Sequence, residues 1–287
     1  GANALGVNTT GASNTAVGTF ALDANTTASN NTAVGYAALT ANTTASNNTA
    51  VGREALVTNN TGDGNNVGVG YRSLYVNATG ALNVAVGNFA LKQNTTASNN
   101  TAVGYNSLTT NTTGPRNVAL GYEAAKSNTT GDAGTALGYE ALRTNTTGNY
   151  NTAVGKGALY ANTTASNNSA FGFNALAANT TGNFNTAVGY EAGANVTTGT
   201  TSIYLGYDAK PAAATDSENI VIVADGSGAG RVGKGSNTGF INANLGSIYQ
   251  GNNSASWATT SDRRLKKNIV DNTIGLDAIT QVQVRNF

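Results

Sequence analysis

A glycine returns along most of this chain at an almost constant interval, and no other feature constrains the fold as strongly. From Gly18 to Gly206 every step is 17 residues, except the step from Gly52 to Gly70, which is 18. A fixed period of this length is typical of a solenoid, in which each repeat packs only against its neighbours. The sequence therefore predicts an elongated structural or adhesive protein rather than an enzyme built around one pocket.

The composition excludes several other classes of function. Only 10% of the 287 residues are charged and the net charge is +1, which leaves no strong field for nucleic acid or an anionic membrane surface. The chain has no cysteine and no histidine, so disulfides and the commonest metal ligand are missing, and we expect no metal and no cofactor. The longest apolar run, Ile220 to Ala224, is too short to span a bilayer. Methionine is absent even at position 1, so we expect the chain to begin inside a longer gene product or after processing.

Each repeat has the same internal pattern when its residues are numbered from the glycine as position 0. Position −1 is Val or Leu, with Phe171 as the exception, position −2 is mostly Ala, and positions −4 and +7 are mostly Asn. The alternation in Asn-Thr-Ala-Val-Gly-Tyr predicts a short strand, and Ala-Leu at +3 and +4 predicts a second short strand, or a turn followed by a strand, in every repeat. Asn-Thr-Thr followed by Gly or Ala predicts the return loop. The prediction is an all-β fold, a parallel β-solenoid of about 12 coils.

The repeated columns also predict particular contacts between coils. We expect the glycine to lie where a Cβ would collide with a neighbouring backbone, and the Asn columns to form amide ladders. Ala, Val and one Leu per coil make a thin interior that leaves one apolar face exposed. A homotrimer, intertwined or side by side, would cover that face, whereas the alternative is a monomeric β-helix with a closed core.

Two side-chain columns on the surface allow more than one interpretation. Position +1 is usually Tyr, which is compatible with a sugar-binding platform or with a structural ladder. Because Arg53, Asn88 and Lys156 interrupt the column, the ladder is favoured. The Thr-Thr pairs suggest an ice-binding solenoid, which is the least favoured alternative because neighbouring residues of a strand point to opposite faces.

The period ends after Tyr207, and the remainder divides into two parts. We predict a repeat shaft over 1–207, and a linker with a small β neck over 208–260, in which Asp208 to Glu218 is the linker. The last segment, 261–287, departs from the rest by placing four cations within nine residues.

That last segment carries a recognisable motif. Ser261-Asp262, Arg264-Leu265-Lys266 and Ile269 resemble the opening of the endosialidase-type intramolecular chaperone, the self-cleaving C-terminal domain of phage tail spikes and tail fibres; the similarity covers only 261–287. The resemblance implies a trimer whose β-rich stalk is assembled with the help of this domain. It further implies that Ser261 is the nucleophile, Lys266 the base and Thr260–Ser261 the cleaved bond, since a serine needs a nearby base and a partly buried lysine can serve as one.

The repeats have resemblances of their own. Their Ala-Val/Leu-Gly centre is similar to the head β-rolls of trimeric autotransporter adhesins, which have shorter repeats. They are more similar to the Asn-Thr-Ala-Val-Gly-Tyr-x-Ala-Leu arrays that precede the chaperone domain in phage fibre proteins. These resemblances imply an extracellular fibre on a virion tail, with the other copies of the chain, a host-surface receptor such as a glycan and other tail proteins as partners.

The expected function is therefore attachment to a host surface by multivalent contact. Enzymatic activity is not expected beyond one self-cleavage, because the scattered acidic residues do not provide the paired carboxylates of a glycosidase. The alternative is a bacterial trimeric surface adhesin or an extracellular filament subunit.

Overall fold

The computed structural model describes residues 1–59, 64–224, 232–243, 246–250 and 258–259, and within them the chain consists of strands and turns. The predicted parallel β-solenoid is confirmed: fourteen strands form one parallel sheet of about 13 turns with repeats near 17 residues. The strands are β1 Thr15–Val17, β2 Thr32–Val34, β3 Thr49–Val51, β4 Val67–Val69, β5 Val84–Val86, β6 Thr101–Val103, β7 Val118–Leu120, β8 Thr135–Leu137, β9 Thr152–Val154, β10 Ser169–Phe171, β11 Thr186–Val188, β12 Ile203–Leu205, β13 Ile220–Val223, β14 Gly239–Ala243, β15 Gly246–Gln250 and β16 Ala258–Thr259.

The coils lie directly on one another, so like residues form columns. Ala16 pairs with Ala33, and the same pairing between equivalent residues continues coil by coil. The 18-residue coil does not disturb it, because Thr49 still pairs with Val67. With about 4.8 Å between neighbouring strands, the thirteen or so turns make a rod on the order of 60 Å long.

Each coil contributes one strand, and the Ala-Leu segment is not a second one. The Leu39 backbone has φ of 50°, in the left-handed region, and this conformation ends any extended run. Its N–H nevertheless donates to the Ala55 carbonyl of the next coil at 3.0 Å. The predicted second strand is therefore wrong: this segment is a turn in every coil from β1 to β12. Coil-to-coil hydrogen bonding nevertheless continues through the turns as well as through the strands.

The periodic glycine has the role that the sequence predicts. Gly138 has φ of 141°, and a Cβ built on it would lie 2.6 Å from the carbonyl oxygen of Gly155. Only glycine combines this backbone conformation with such a close approach of the next coil. From β1 to β12 each strand ends at the residue before this glycine, where the chain enters the turn.

The interior of a single chain is closed and very small. The inward strand residue Ala33 and the turn residue Leu39 are fully buried, as are their equivalents in other coils. Two columns of buried asparagines line the interior. The Asn42 side chain donates to Asn25 Oδ1 at 3.1 Å in one column, and the Asn48 backbone N–H donates to Asn31 Oδ1 at 2.9 Å in the other. The predicted amide ladders are confirmed, and they satisfy polar groups that burial would otherwise penalise.

Parallel stacking continues beyond the last periodic glycine. Ile203 pairs with Ile220, and Ile220 pairs with Gly239. In the loops, the N–H of Thr197, which precedes β12, donates at 2.8 Å to the carbonyl of Ala214, which lies between β12 and β13. The segment Asp208 to Glu218, which the sequence predicts to be a linker, takes part in this stacking, since the Glu218 N–H donates to the Thr200 carbonyl at 2.9 Å.

After β14 the sheet changes direction. β15 pairs antiparallel with β14, and β16 pairs antiparallel with β15. The division of the chain at 207 and 260 stays a prediction, and the segment 261–287 lies outside the described residues.

Candidate functional surfaces

The outer face of the parallel sheet is a candidate interaction surface that runs along the rod. In each three-residue strand the middle residue points inward and the two flanking residues point outward, at positions −3 and −1. Every −1 residue from Val17 to Ile222 is apolar, and the −3 residues are Thr, Ser, Val or Ile. Leu120 is 50% exposed and Phe171 41% exposed. A continuous apolar row without charge therefore runs along the rod.

The edges of this face bear further apolar side chains. Leu82, Tyr150 and Phe184 occupy position −5, two residues before the first outward strand residue, and all three are mostly exposed. Each has a left-handed backbone, with φ between 56° and 60°, where most other coils have Asn or another polar residue. Their exposed fractions are 56% to 60%, so burial among the described residues does not account for large apolar groups there. Sequence reasoning missed them, although the signal was a polar column broken by Leu, Tyr and Phe.

The tyrosine column at position +1 forms a ladder, as the sequence favours. The Tyr122 and Tyr139 rings are nearly parallel, at 9°, with centroids 5.0 Å apart, and Tyr190 stacks on Tyr207 at 5.1 Å. Each stacked ring therefore turns a face to its neighbour and mainly its edge to solvent. A sugar-binding platform needs exposed ring faces, so this geometry favours the structural interpretation.

The residues expected to interrupt the ladder continue it instead. The Arg53 guanidinium lies 5.7 Å from the ring centroids of both Tyr36 and Tyr71. Lys156 Nζ lies 5.5 Å from the Tyr139 centroid and 5.7 Å from that of Phe173. A cation between two aromatic faces gains from both ring quadrupoles.

At the remaining interruption, Asn88, the next residue in the chain maintains the contacts of the ladder. Phe89 at position +2 contacts Tyr71 at 5.2 Å and Tyr105 at 6.0 Å, both edge to face. Contacts thus run without a break from Tyr36 to Tyr207. The sequence predicted the ladder but not its continuity, since a residue list shows identities and not which rings bridge a gap.

Ion pairs connect neighbouring coils beside this ladder. Glu123 accepts from Lys126 Nζ at 2.8 Å in its own coil and from Arg143 Nε at 2.7 Å in the next, and Arg143 also lies 3.5 Å from Glu140. Burial by itself would raise the pKa of Glu123, but hydrogen bonds and charges from Lys126 and Arg143 outweigh it, so the pKa is lowered. Two of these pairs, Glu123 with Lys126 and Glu140 with Arg143, join residues three apart within a coil, and the Arg143 contact to Glu123 is an additional link between coils.

The threonine pairs of the return loop differ in exposure. The Thr112 hydroxyl donates to the Thr129 carbonyl of the next coil at 3.0 Å, whereas its neighbour Thr113 is exposed. One hydroxyl of each such pair therefore serves the stacking of the coils, and a single exposed threonine column remains.

The sequence-predicted catalytic residues cannot be placed in this framework. Ser261, Lys266 and the Thr260–Ser261 bond all lie outside the described residues. In the part that the structure describes, no group of three or more acidic, His or Cys side chains is arranged to hold a metal ion. Nor does that part contain a helix long and apolar enough to cross a bilayer.

Comparison of the chain with protein-family models, with curated proteins and with solved structures found no match. Functional conclusions therefore depend on the geometry of the rod and its surfaces and on the sequence motifs.

Proposed function

We propose that this chain is the shaft of a homotrimeric attachment fibre on a phage virion, extracellular and free of enzymatic activity apart from one self-cleavage. The observation that carries this proposal is the apolar outer row from Val17 to Ile222, which contains no charged residue along the rod. Monomeric proteins rarely leave a long contiguous apolar patch exposed, and such a patch marks an interaction site.

The partner that fits this row best is another copy of the same rod. Two or three parallel copies in register present equivalent residues to one another along the whole length. Closed rotational symmetry then covers the row in every copy, and a threefold arrangement does so around one axis. Three shafts held together would present each surface feature three times, which is the basis of multivalent contact with a receptor.

Light scattering on the full chain tests the assembly. We expect a mass of three chains. A variant with Leu120→Lys and Phe171→Lys should be monomeric or much weaker in association, because buried unpaired charges are costly. The control is Thr113→Lys in the exposed threonine column, which should stay trimeric. A wild-type chain that runs as a monomer at all concentrations refutes the trimer.

The self-cleavage part of the proposal rests on the motif at 261–269 and needs its own test. On a denaturing gel of the complete gene product, the wild type should separate at Thr260–Ser261, while Ser261→Ala and Lys266→Ala should each leave one uncut band. A wild type that is never cut overturns autoproteolysis for this protein, and the shaft proposal is unaffected.

A bacterial trimeric adhesin or extracellular filament subunit would use the same shaft in the same way. The genes beside this one separate the two: capsid or baseplate genes support the phage fibre, and a secretion barrel or membrane anchor in the same product supports the adhesin.

A further inference from the structure

Three tyrosines in consecutive coils form the most regular part of the aromatic ladder. The rings of Tyr105 and Tyr122 have centroids 5.5 Å apart at 15°, and those of Tyr122 and Tyr139 are 5.0 Å apart at 9°. All three side chains are between 42% and 46% exposed. This arrangement is more than packing requires, because Phe173 in the same column stacks on Tyr190 equally well without a hydroxyl, with centroids 5.0 Å apart.

We propose that the stack Tyr105–Tyr122–Tyr139 is an oxidative cross-linking site, at which a one-electron oxidant of the peroxidase and hydrogen peroxide class joins neighbouring phenols as dityrosine. The product is a covalent bond between adjacent coils. It does not depend on the oligomeric state or on the self-cleavage proposed above.

The chemistry balances with one molecule of hydrogen peroxide per cross-link. The oxidant removes one electron from each of two phenols, and each phenol loses its hydroxyl proton. The two phenoxyl radicals form a carbon–carbon bond between their ortho carbons, and the two ortho hydrogens move to the oxygens as the rings become aromatic again. The peptide loses two hydrogen atoms in total, and the peroxide is reduced to two waters.

The geometry favours coupling inside the chain over coupling between chains. The columns are fixed by backbone hydrogen bonds, for example from the Glu123 N–H to the Tyr105 carbonyl at 2.9 Å and from the Glu140 N–H to the Tyr122 carbonyl at 2.9 Å. A radical formed on Tyr122 thus has another phenol on each side at all times. Groups held this close react at effective concentrations far above those of separate molecules. The exposed ring edges, which carry the ortho carbons, are accessible to an oxidant.

The positions of Lys and Arg make the product easy to map. Trypsin cleavage after Lys92, Arg116, Lys126 and Arg143 places the three tyrosines in three different peptides, 93–116, 117–126 and 127–143. A dilute sample of the full chain is treated with peroxidase and hydrogen peroxide, digested and analysed by mass spectrometry. We expect peptide 117–126 joined to 93–116 or to 127–143 with two hydrogens missing, from protein that still runs at single-chain size on a denaturing gel.

Two single substitutions decide whether the stack is responsible. Tyr122→Phe keeps the ring and removes the shared phenol, so the joined peptides should disappear. Tyr150→Phe removes a more exposed tyrosine, 57% exposed, from outside the ladder and should leave their yield unchanged. The proposal is wrong if the wild type gives no joined peptides, or if they form only between chains and rise in proportion with protein concentration.

Discussion

The asparagine ladder at position −4 has one gap, at Gly134, and filling it should stabilise the protein. Between residues 14 and 185 all the remaining coils have Asn in this column. The side-chain oxygen of each Asn accepts the backbone N–H of the next residue in the column, as Asn100 Oδ1 accepts from Asn117 at 2.8 Å. Gly134 itself donates to Asn117 Oδ1 at 2.8 Å. It offers no side-chain oxygen to the N–H of Asn151.

Gly134→Asn supplies the missing amide, and it needs only a small shift of the Asn117 side chain, whose oxygen is the nearest neighbour. Gly134 does not have a left-handed backbone, and a Cβ there would lie 3.0 Å from Asn117 Oδ1 and 3.6 Å from Leu142 Cδ2. The other coils accept Asn with the same neighbours above and below. The new side chain would accept from Asn151 N–H and donate to the Gly148 carbonyl, as Asn117 donates to the Gly131 carbonyl at 2.8 Å.

The expected gain in the free energy of unfolding is about 1.4–4 kcal/mol. Two hydrogen bonds contribute roughly 0.5–1.5 kcal/mol each, and replacing glycine reduces the entropy of the unfolded chain by about 0.4–1 kcal/mol. Gly134→Ala is the control, since it provides the entropy but not the amide. The assay is urea unfolding followed by circular dichroism. If the Asn variant unfolds at lower urea than the Ala variant, the ladder does not stabilise the rod.

Two further predictions concern the close approach of coils and the buried carboxylate. Gly138→Ala should lower the free energy of unfolding by about 3 kcal/mol or more, because it combines a glycine-only backbone with a clash against a backbone carbonyl. Gly134→Ala should not cause such a loss, since its backbone is not left-handed and a Cβ there would come no closer than 3.0 Å to a neighbouring atom; thermal unfolding of both variants checks this. The pKa of Glu123 is lowered in the folded chain, so the ionised carboxylate stabilises the fold. This stabilisation is complete at pH values above the ordinary carboxyl pKa of about 4.3, and it is lost as the pH falls through the lowered pKa of the folded chain. Glu123→Gln should therefore flatten the acid side of the profile of urea midpoint against pH, and an unchanged profile would contradict the reasoning.

The sequence was sufficient for those features that depend on the repeat itself. A column of identical residues predicts stacking, and stacking places Asn25 on Asn42 and Gly138 on Gly155 with no further information. It was insufficient wherever the backbone departs from the simple alternation of a strand. Leu39 appears in the sequence as a candidate strand residue, but its left-handed conformation makes it part of a turn.

Parallel stacking continues past the end of the glycine period. Backbone pairing needs no particular side chain, so Ile203 can stack on Ile220 after the marker residue is lost. The cations of the aromatic ladder were misread for a related reason. Arg53 differs from tyrosine in its chemistry, yet its planar charged group fits between two rings as another ring would.

Departures from the repeat behave differently inside and outside the rod, and this difference supports a role for the outer surface. Inside the rod, a larger residue is offset by a smaller neighbour. Tyr204 is fully buried at a position that is Ala in most coils, and Gly193 next to it replaces the usual Leu. Even a Cβ on Gly193 would lie 2.9 Å from the Tyr204 ring. Total volume is thus conserved, as a close-packed interior requires. Outside, Tyr150 and Phe184 replace polar residues and are left largely exposed. Because stability of the single rod explains the first kind of change and not the second, the outward aromatic residues are best explained by contacts with other molecules, and the neighbouring shafts of the proposed trimer are the nearest of these.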